Sequence, residues 1–121
     1  MKQLLVLITL MSSLIIPSVA HAEWTRVFDD WYVDYERVRQ KNNKNYLVWM
    51  LLNFTDHGSA TFLLEFDCKA LGTKLLQITG YEQPFASGNV TQKKGPNKNW
   101  QYAEPNTTIE KQNTKICKKL D

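Results

Sequence analysis

The chain reads as an α+β protein, mainly β: an antiparallel sheet with one C-terminal helix packed on it. Three observations predict this. Short aromatic, aliphatic and β-branched runs recur between polar turns rich in Asn, Asp and Gly. All fourteen Trp, Tyr and Phe residues lie beyond residue 22, a density that favours strands and supplies large buried area per residue. After Pro105 the apolar period lengthens to that of a helix.

The first segment does not belong to the sheet. Met1-Lys2-Gln3 precedes an apolar run from Leu4 to Ile16, then Pro17 and the sequence SVAHAEW. A basic start, a short apolar stretch and Ala20-His21-Ala22 form the layout of a secretory signal peptide, and the run is shorter than the ~20 residues a bilayer needs. Cleavage between Ala22 and Glu23 is expected, giving a signal peptide over 1–22 and one domain over 23–121. The cleavage point carries no cysteine, so no membrane anchor is expected after cleavage. The protein is then exported, to the periplasm or beyond.

WTRVF (Trp24 to Phe28) and WYVDY (Trp31 to Tyr35) read as two short strands or one bulged strand, broken at Asp29-Asp30. RQKNNKN, Arg39 to Asn45, reads as a polar turn. It feeds YLVWMLLNF, Tyr46 to Phe54, an almost unbroken apolar run expected to be a central strand, although period alone does not separate it from a buried helix. TDHGS turns the chain into Ala60 to Cys68, and Gly72 turns it into KLLQITGY, Lys74 to Tyr81. Three strands in succession with short connections make an antiparallel meander. Between Glu82 and Asn99 only Gly88 to Lys93 offers a weak edge strand. Thr107 with Glu110 fits a capping box, and Ile109, Ile116, Cys117 and Leu120 fall on one helical stripe.

Beyond the leader there are two cysteines, Cys68 and Cys117, and one histidine, His57. Two thiols and one imidazole in an oxidising compartment form a disulfide far more often than a zinc site, which would need a carboxylate as fourth ligand. A nucleophilic thiol would need a reduced state and a neighbouring base. Cys68 follows Phe62, Leu64 and Phe66 on the even, dry face of its strand, and Cys117 lies on the helical stripe. A bond between them would bolt helix to sheet, closing a loop of about fifty residues worth on the order of 4 kcal/mol in the chain-entropy account. No metal and no cofactor are expected.

Without Lys2, fourteen basic side chains face twelve acidic ones, a net of +2. That is too mild for a nucleic-acid partner, and the compartment argues the same way. Asp56, His57 and Ser59 sit on one turn, too close in sequence to line up as a triad. Glu65 and Asp67 form a carboxylate pair about 7 Å apart along a strand, the one arrangement a hydrolase could use, but a solvated face explains it equally. No catalytic residue is assigned.

In this order, WTRVF, YVDYERVR, YLVWMLLNF with Trp49, LLEFDCKA, LLQITGY, the SG of FASGNV and NWQYAEPNTTIEKQNTKIC resemble the surface-adhesin protein E family of small exported bacterial proteins. The resemblance covers nearly all of the chain beyond the leader. It implies an antiparallel sheet of about six strands with a C-terminal helix held by a Cys68–Cys117 bond, and a surface protein that engages host matrix proteins. The family's adhesin is lipid-anchored, whereas Ala22-Glu23 offers no anchor cysteine.

The reading is therefore a non-enzymatic exported envelope or surface protein, an adhesin-like binding module. A small inhibitor acting through the loop from Glu82 to Asn99, and a carboxylate-based hydrolase, are the alternatives. One helix covers one sheet face only. On the other face of the long strand, Leu47, Trp49 and Leu51 stay apolar, and regular pairing would add Leu63 and Leu75, with Glu65, Asp67, Gln77 and Thr79 as a rim. Either the N-terminal segment with Trp24, Phe28 and Trp31 folds over this patch, or the patch is a protein interface, most simply of a homodimer.

Overall fold

The computed structural model describes residues 23–54, 56–97 and 99–121. The leader and its cleavage point at Ala22 lie outside the described residues. Among the described residues seven strands, β1 (Thr25–Phe28), β2 (Trp31–Asn42), β3 (Asn45–Asn53), β4 (Ser59–Asp67), β5 (Gly72–Gln83), β6 (Ser87–Lys94) and β7 (Trp100–Tyr102), precede one helix, α1 (Thr108–Leu120). Strands β1 to β6 lie side by side in chain order, every neighbouring pair antiparallel. The outer edge of β5 is shared: β6 pairs with its C-terminal half, and β7 pairs Gly72, Thr73 and Lys74 with Tyr102, Gln101 and Trp100. The expected mainly-β fold with one terminal helix and about six strands is present.

Even-numbered residues of β3 and β4 form the core face. Tyr46, Val48 and Met50 stand opposite Phe66, Leu64 and Phe62, and Val33 of β2 pairs with Met50. Against them α1 presses Ile116 and Cys117, and Val27 of β1 joins from the side. The Cys68–Cys117 bond closes with 5.6 Å between its Cα atoms. Further ties fix the helix: Lys115 Nζ donates to the Val27 carbonyl at 2.9 Å, Lys119 stands 4.2 Å over the Tyr35 ring, and Tyr46 donates to Asp121 at 2.8 Å.

At the start of α1, Thr107 accepts from the Glu110 amide at 3.2 Å as expected, but Glu110 returns its bond to the Asn106 amide, one residue earlier than a capping box would have it. Ile109, placed on the buried stripe by its spacing, is 61% exposed, and Asn113 takes the buried position instead. The buried residues of α1, Asn113, Ile116 and Cys117, all lie beyond its first turn.

Two strands extend beyond the sequence reading. β2 runs through the polar stretch to Asn42, and a two-residue turn at Asn43-Lys44, with Lys44 at φ 71°, leads into β3. β7 forms at Trp100–Tyr102, where three residues are too few for an alternation to show.

The candidate docking face

The helix-free face is laid out in rows of direct cross-strand partners. One row runs Arg39, Leu47, Glu65, Lys74, Trp100 across β2, β3, β4, β5 and β7; the next runs Asp34, Trp49, Leu63, Gln77. A third runs Arg26, Tyr32, Leu51, Thr61, Thr79, and the last places Asn53, Ser59 and Tyr81 together. Partners in a row share a face because the pleat alternates in step on paired strands.

The last two rows are closed by the turn between β5 and β6. The Phe85 amide donates to Asn53 Oδ1 at 2.9 Å, the Ala86 amide to Ser59 Oγ at 2.8 Å, and Ser59 Oγ to the Gln83 carbonyl at 2.7 Å. Phe85 then meets the Tyr32 ring edge-on, with centroids 5.1 Å apart. Phe85 and Ala86 both adopt left-handed backbone, φ 56° and 57°, which costs a side-chain-bearing residue roughly 1–2 kcal/mol each, so the Asn53 and Ser59 bonds hold a strained turn over this end. Leu51 and Ser59 are fully buried there.

The first two rows stay open. Leu47, Trp49 and Leu63, with Arg37 and Arg39 beside them, line a groove of about 410 Å³. Two residues of the N-terminal segment turn away from it: Trp31 packs on Phe62 of the core face at 5.2 Å and Val27 enters the core, while β1 extends the sheet at the edge of β2. Two expected patch residues are placed differently. Leu51 lies in the half that the β5–β6 turn closes. Leu75 is opposite Leu64, on the core face, because a bulge between the Leu63–Gln77 and Leu64–Leu75 pairs shifts the register by one residue and reverses the side to which it points. The expected rim also changes, since Thr79 is buried and Glu65 is 3% exposed in the floor.

Glu65 is the electrostatic centre of this floor. Its carboxylate accepts from Lys41 Nζ and from Asn45 Nδ2, both at 3.0 Å, with Lys74 Nζ at 3.8 Å. Burial alone would raise its pKa, but the Lys41 and Asn45 hydrogen bonds and the charges of Lys41 and Lys74 outweigh that and hold it below the usual glutamate range. A carboxylate so engaged is neither a general acid nor a free nucleophile. Asp67, its supposed partner in a hydrolase, caps the turn after β4 by accepting from the Lys69 and Ala70 amides. Within Glu82 to Asn99 the chain forms the end of β5 and β6, and among the described residues no three His, Cys, Asp or Glu side chains gather to hold a metal. Nothing supports the inhibitor or the hydrolase.

Asp34 is a second buried carboxylate, 1% exposed, next to Trp49. Its Oδ1 accepts from the Glu36 amide at 3.2 Å, and Oδ2 stands 3.4 Å from Arg37 Nε without forming a hydrogen bond among the described residues. Between the Asp34–Trp49 and Arg39–Leu47 pairs β2 carries extra residues that β3 does not match, and at this irregularity Arg37 stands beside Asp34. The sequence signalled none of the cationic members of the face, Arg37, Arg39, Lys41 and Lys74, because bulges and pairing partners decide which way they point.

Comparison with known proteins agrees with this architecture. Crystal form II of Haemophilus influenzae protein E is similar in structure over 85% of this chain and 93% of its own, with a TM-score of 0.69 and 15% sequence identity. Another structure of Haemophilus influenzae protein E matches over 85% and 89%, with a TM-score of 0.66 and 17% identity. Protein E from non-typeable Haemophilus influenzae covers 84% of this chain and 80% of its own, with a TM-score of 0.62 and 14% identity. No curated protein matches the chain by sequence. The family model described as surface-adhesin protein E matches residues 24–118. From sheet order to stapled helix, and across that whole matched span, the chain belongs to the surface-adhesin protein E family and is a surface adhesin-like protein.

Proposed function

We propose that the chain is a non-enzymatic exported protein of the bacterial envelope that acts by holding a protein partner against the open rows of its helix-free face. In this reading residues 1–22 are removed on export, residues 23–121 form the working domain, and no cofactor takes part. One observation carries it: Leu47, Trp49 and Leu63 line an open groove in the middle of a sheet whose other face holds the core. Half-buried apolar groups gathered around an open groove mark a place where another surface sits. Adhesin-like family membership supports a protein as that surface.

The test is adherence of intact bacteria expressing the wild type or Trp49→Lys to host-cell layers. Added protease should first show that both forms are cut on whole cells, as displayed proteins. Adherence should then fall with Trp49→Lys. Equal adherence of the two displayed forms, or full protection of the wild type from protease, would contradict the proposal. The mass of the purified protein in solution separately reads whether a second copy of the chain fills the face.

A further inference from the structure

The charge on the open rows is arranged by depth. Both carboxylates lie beneath the surface, Asp34 with its side chain 1% exposed and Glu65 4%. The cations above them reach outward, with Arg37 50%, Lys41 52% and Lys74 25% exposed, and Arg39 is exposed as well. On this face four cations, Arg37, Arg39, Lys41 and Lys74, stand around an apolar centre of Leu47, Trp49 and Leu63, with Asp34 beneath Arg37 and Glu65 beneath Lys41 and Lys74. Asp34 Oδ2, buried and accepting no hydrogen bond among the described residues, is a cost the fold carries to keep a carboxylate under Arg37 at the groove's mouth.

The row geometry sets the size of what fits. From Arg39 on β2 to Trp100 on β7 the row crosses four strand spacings, roughly 19 Å at ~4.8 Å each, the span of about six residues of extended peptide. Its far end is aromatic, with Lys74 Nζ 5.1 Å over the Trp100 ring and Tyr102 stacked beside it at 6.5 Å. A second copy of this chain is a poor occupant, since a two-fold contact through this face sets the same cationic surface against itself.

From these features we infer that the groove takes an extended, acidic segment of a partner protein, with carboxylates on Arg37 and Arg39 and an aromatic or aliphatic side chain over Leu47, Trp49 and Leu63. The guanidinium forks match carboxylates in pairs, and Asp34 is a positioning residue for one of them. The inference rests on the proposed docking role of the same face and names the chemistry of the partner.

Two peptides test it on the full exported chain, acetyl-EEWEEL-amide and its uncharged counterpart acetyl-QQWQQL-amide, followed by amide and indole chemical shifts. The acidic peptide should shift the signals of Arg39, Leu47, Trp49 and Leu63 and bind at least about tenfold tighter, an advantage that fades as salt approaches about 0.5 M. Arg39→Glu, at an exposed position, should remove that advantage. Arg37→Lys, which keeps a charge above Asp34, should weaken the acidic peptide less. Equal binding of both peptides along this row would overturn the charge preference while leaving the docking role intact. Binding of neither, or shifts confined to α1 or β6, would overturn the inference, as would a wild-type dimer closed through this face. Unchanged adherence with Trp49→Lys would additionally remove the docking role.

Discussion

Glu65 illustrates how a single side chain serves both stability and surface chemistry. Its charge is buried, yet two lysines and an asparagine satisfy it, so desolvation is offset by charge-assisted bonds. Glu65→Gln should cost about 1–3 kcal/mol at neutral pH, read as the shift of a urea midpoint at constant slope. The pH dependence follows from the direction of the pKa. A carboxylate held below its unfolded value stabilises the fold above the usual glutamate range, and that contribution is lost as pH falls through the folded pKa. The wild type should therefore lose stability on acidification more steeply than Glu65→Gln. Asp121 has the same sign, its carboxyl held down by the Tyr46 hydroxyl and by Lys44, so acid should also release the end of the helix.

At the scale of elements, α1 depends on its staple and its cap. Cys117→Ser should lower stability by a few kcal/mol, and hydrogen exchange should show α1 opening before β3 and β4, because the sheet keeps its own ladder while the helix loses its anchor. Thr107→Ala, which removes the hydroxyl that accepts from Glu110, should cost about 1 kcal/mol. These elements were legible in sequence because their causes are local. Alternation placed Phe62, Leu64 and Phe66 on one face with Cys68 following, and Thr107 with Glu110 announced the helix. Leu75, the cationic members of the docking face and β7 were not legible. A bulge inserts one residue without a composition of its own, and β7 exists only because the lower half of β5 has an unpaired edge to receive it.

For the whole molecule, the two faces of the sheet divide the work. One is closed by a helix and a covalent bond; the other is half closed by the chain's own β5–β6 turn and half left open, with cations above buried carboxylates. The exported protein should begin at Glu23, read by N-terminal sequencing, and a retained Met1 would contradict that expectation. The division of labour itself is tested most directly by comparing two adjacent residues of β3 that point to opposite faces. Met50, 2% exposed, is core, and Met50→Ala should cost about 2–5 kcal/mol in urea unfolding. Trp49 lines the open groove, and Trp49→Lys should change stability by less than about 1 kcal/mol. Comparable losses for the two variants would make Trp49 a core residue and contradict a face reserved for a partner.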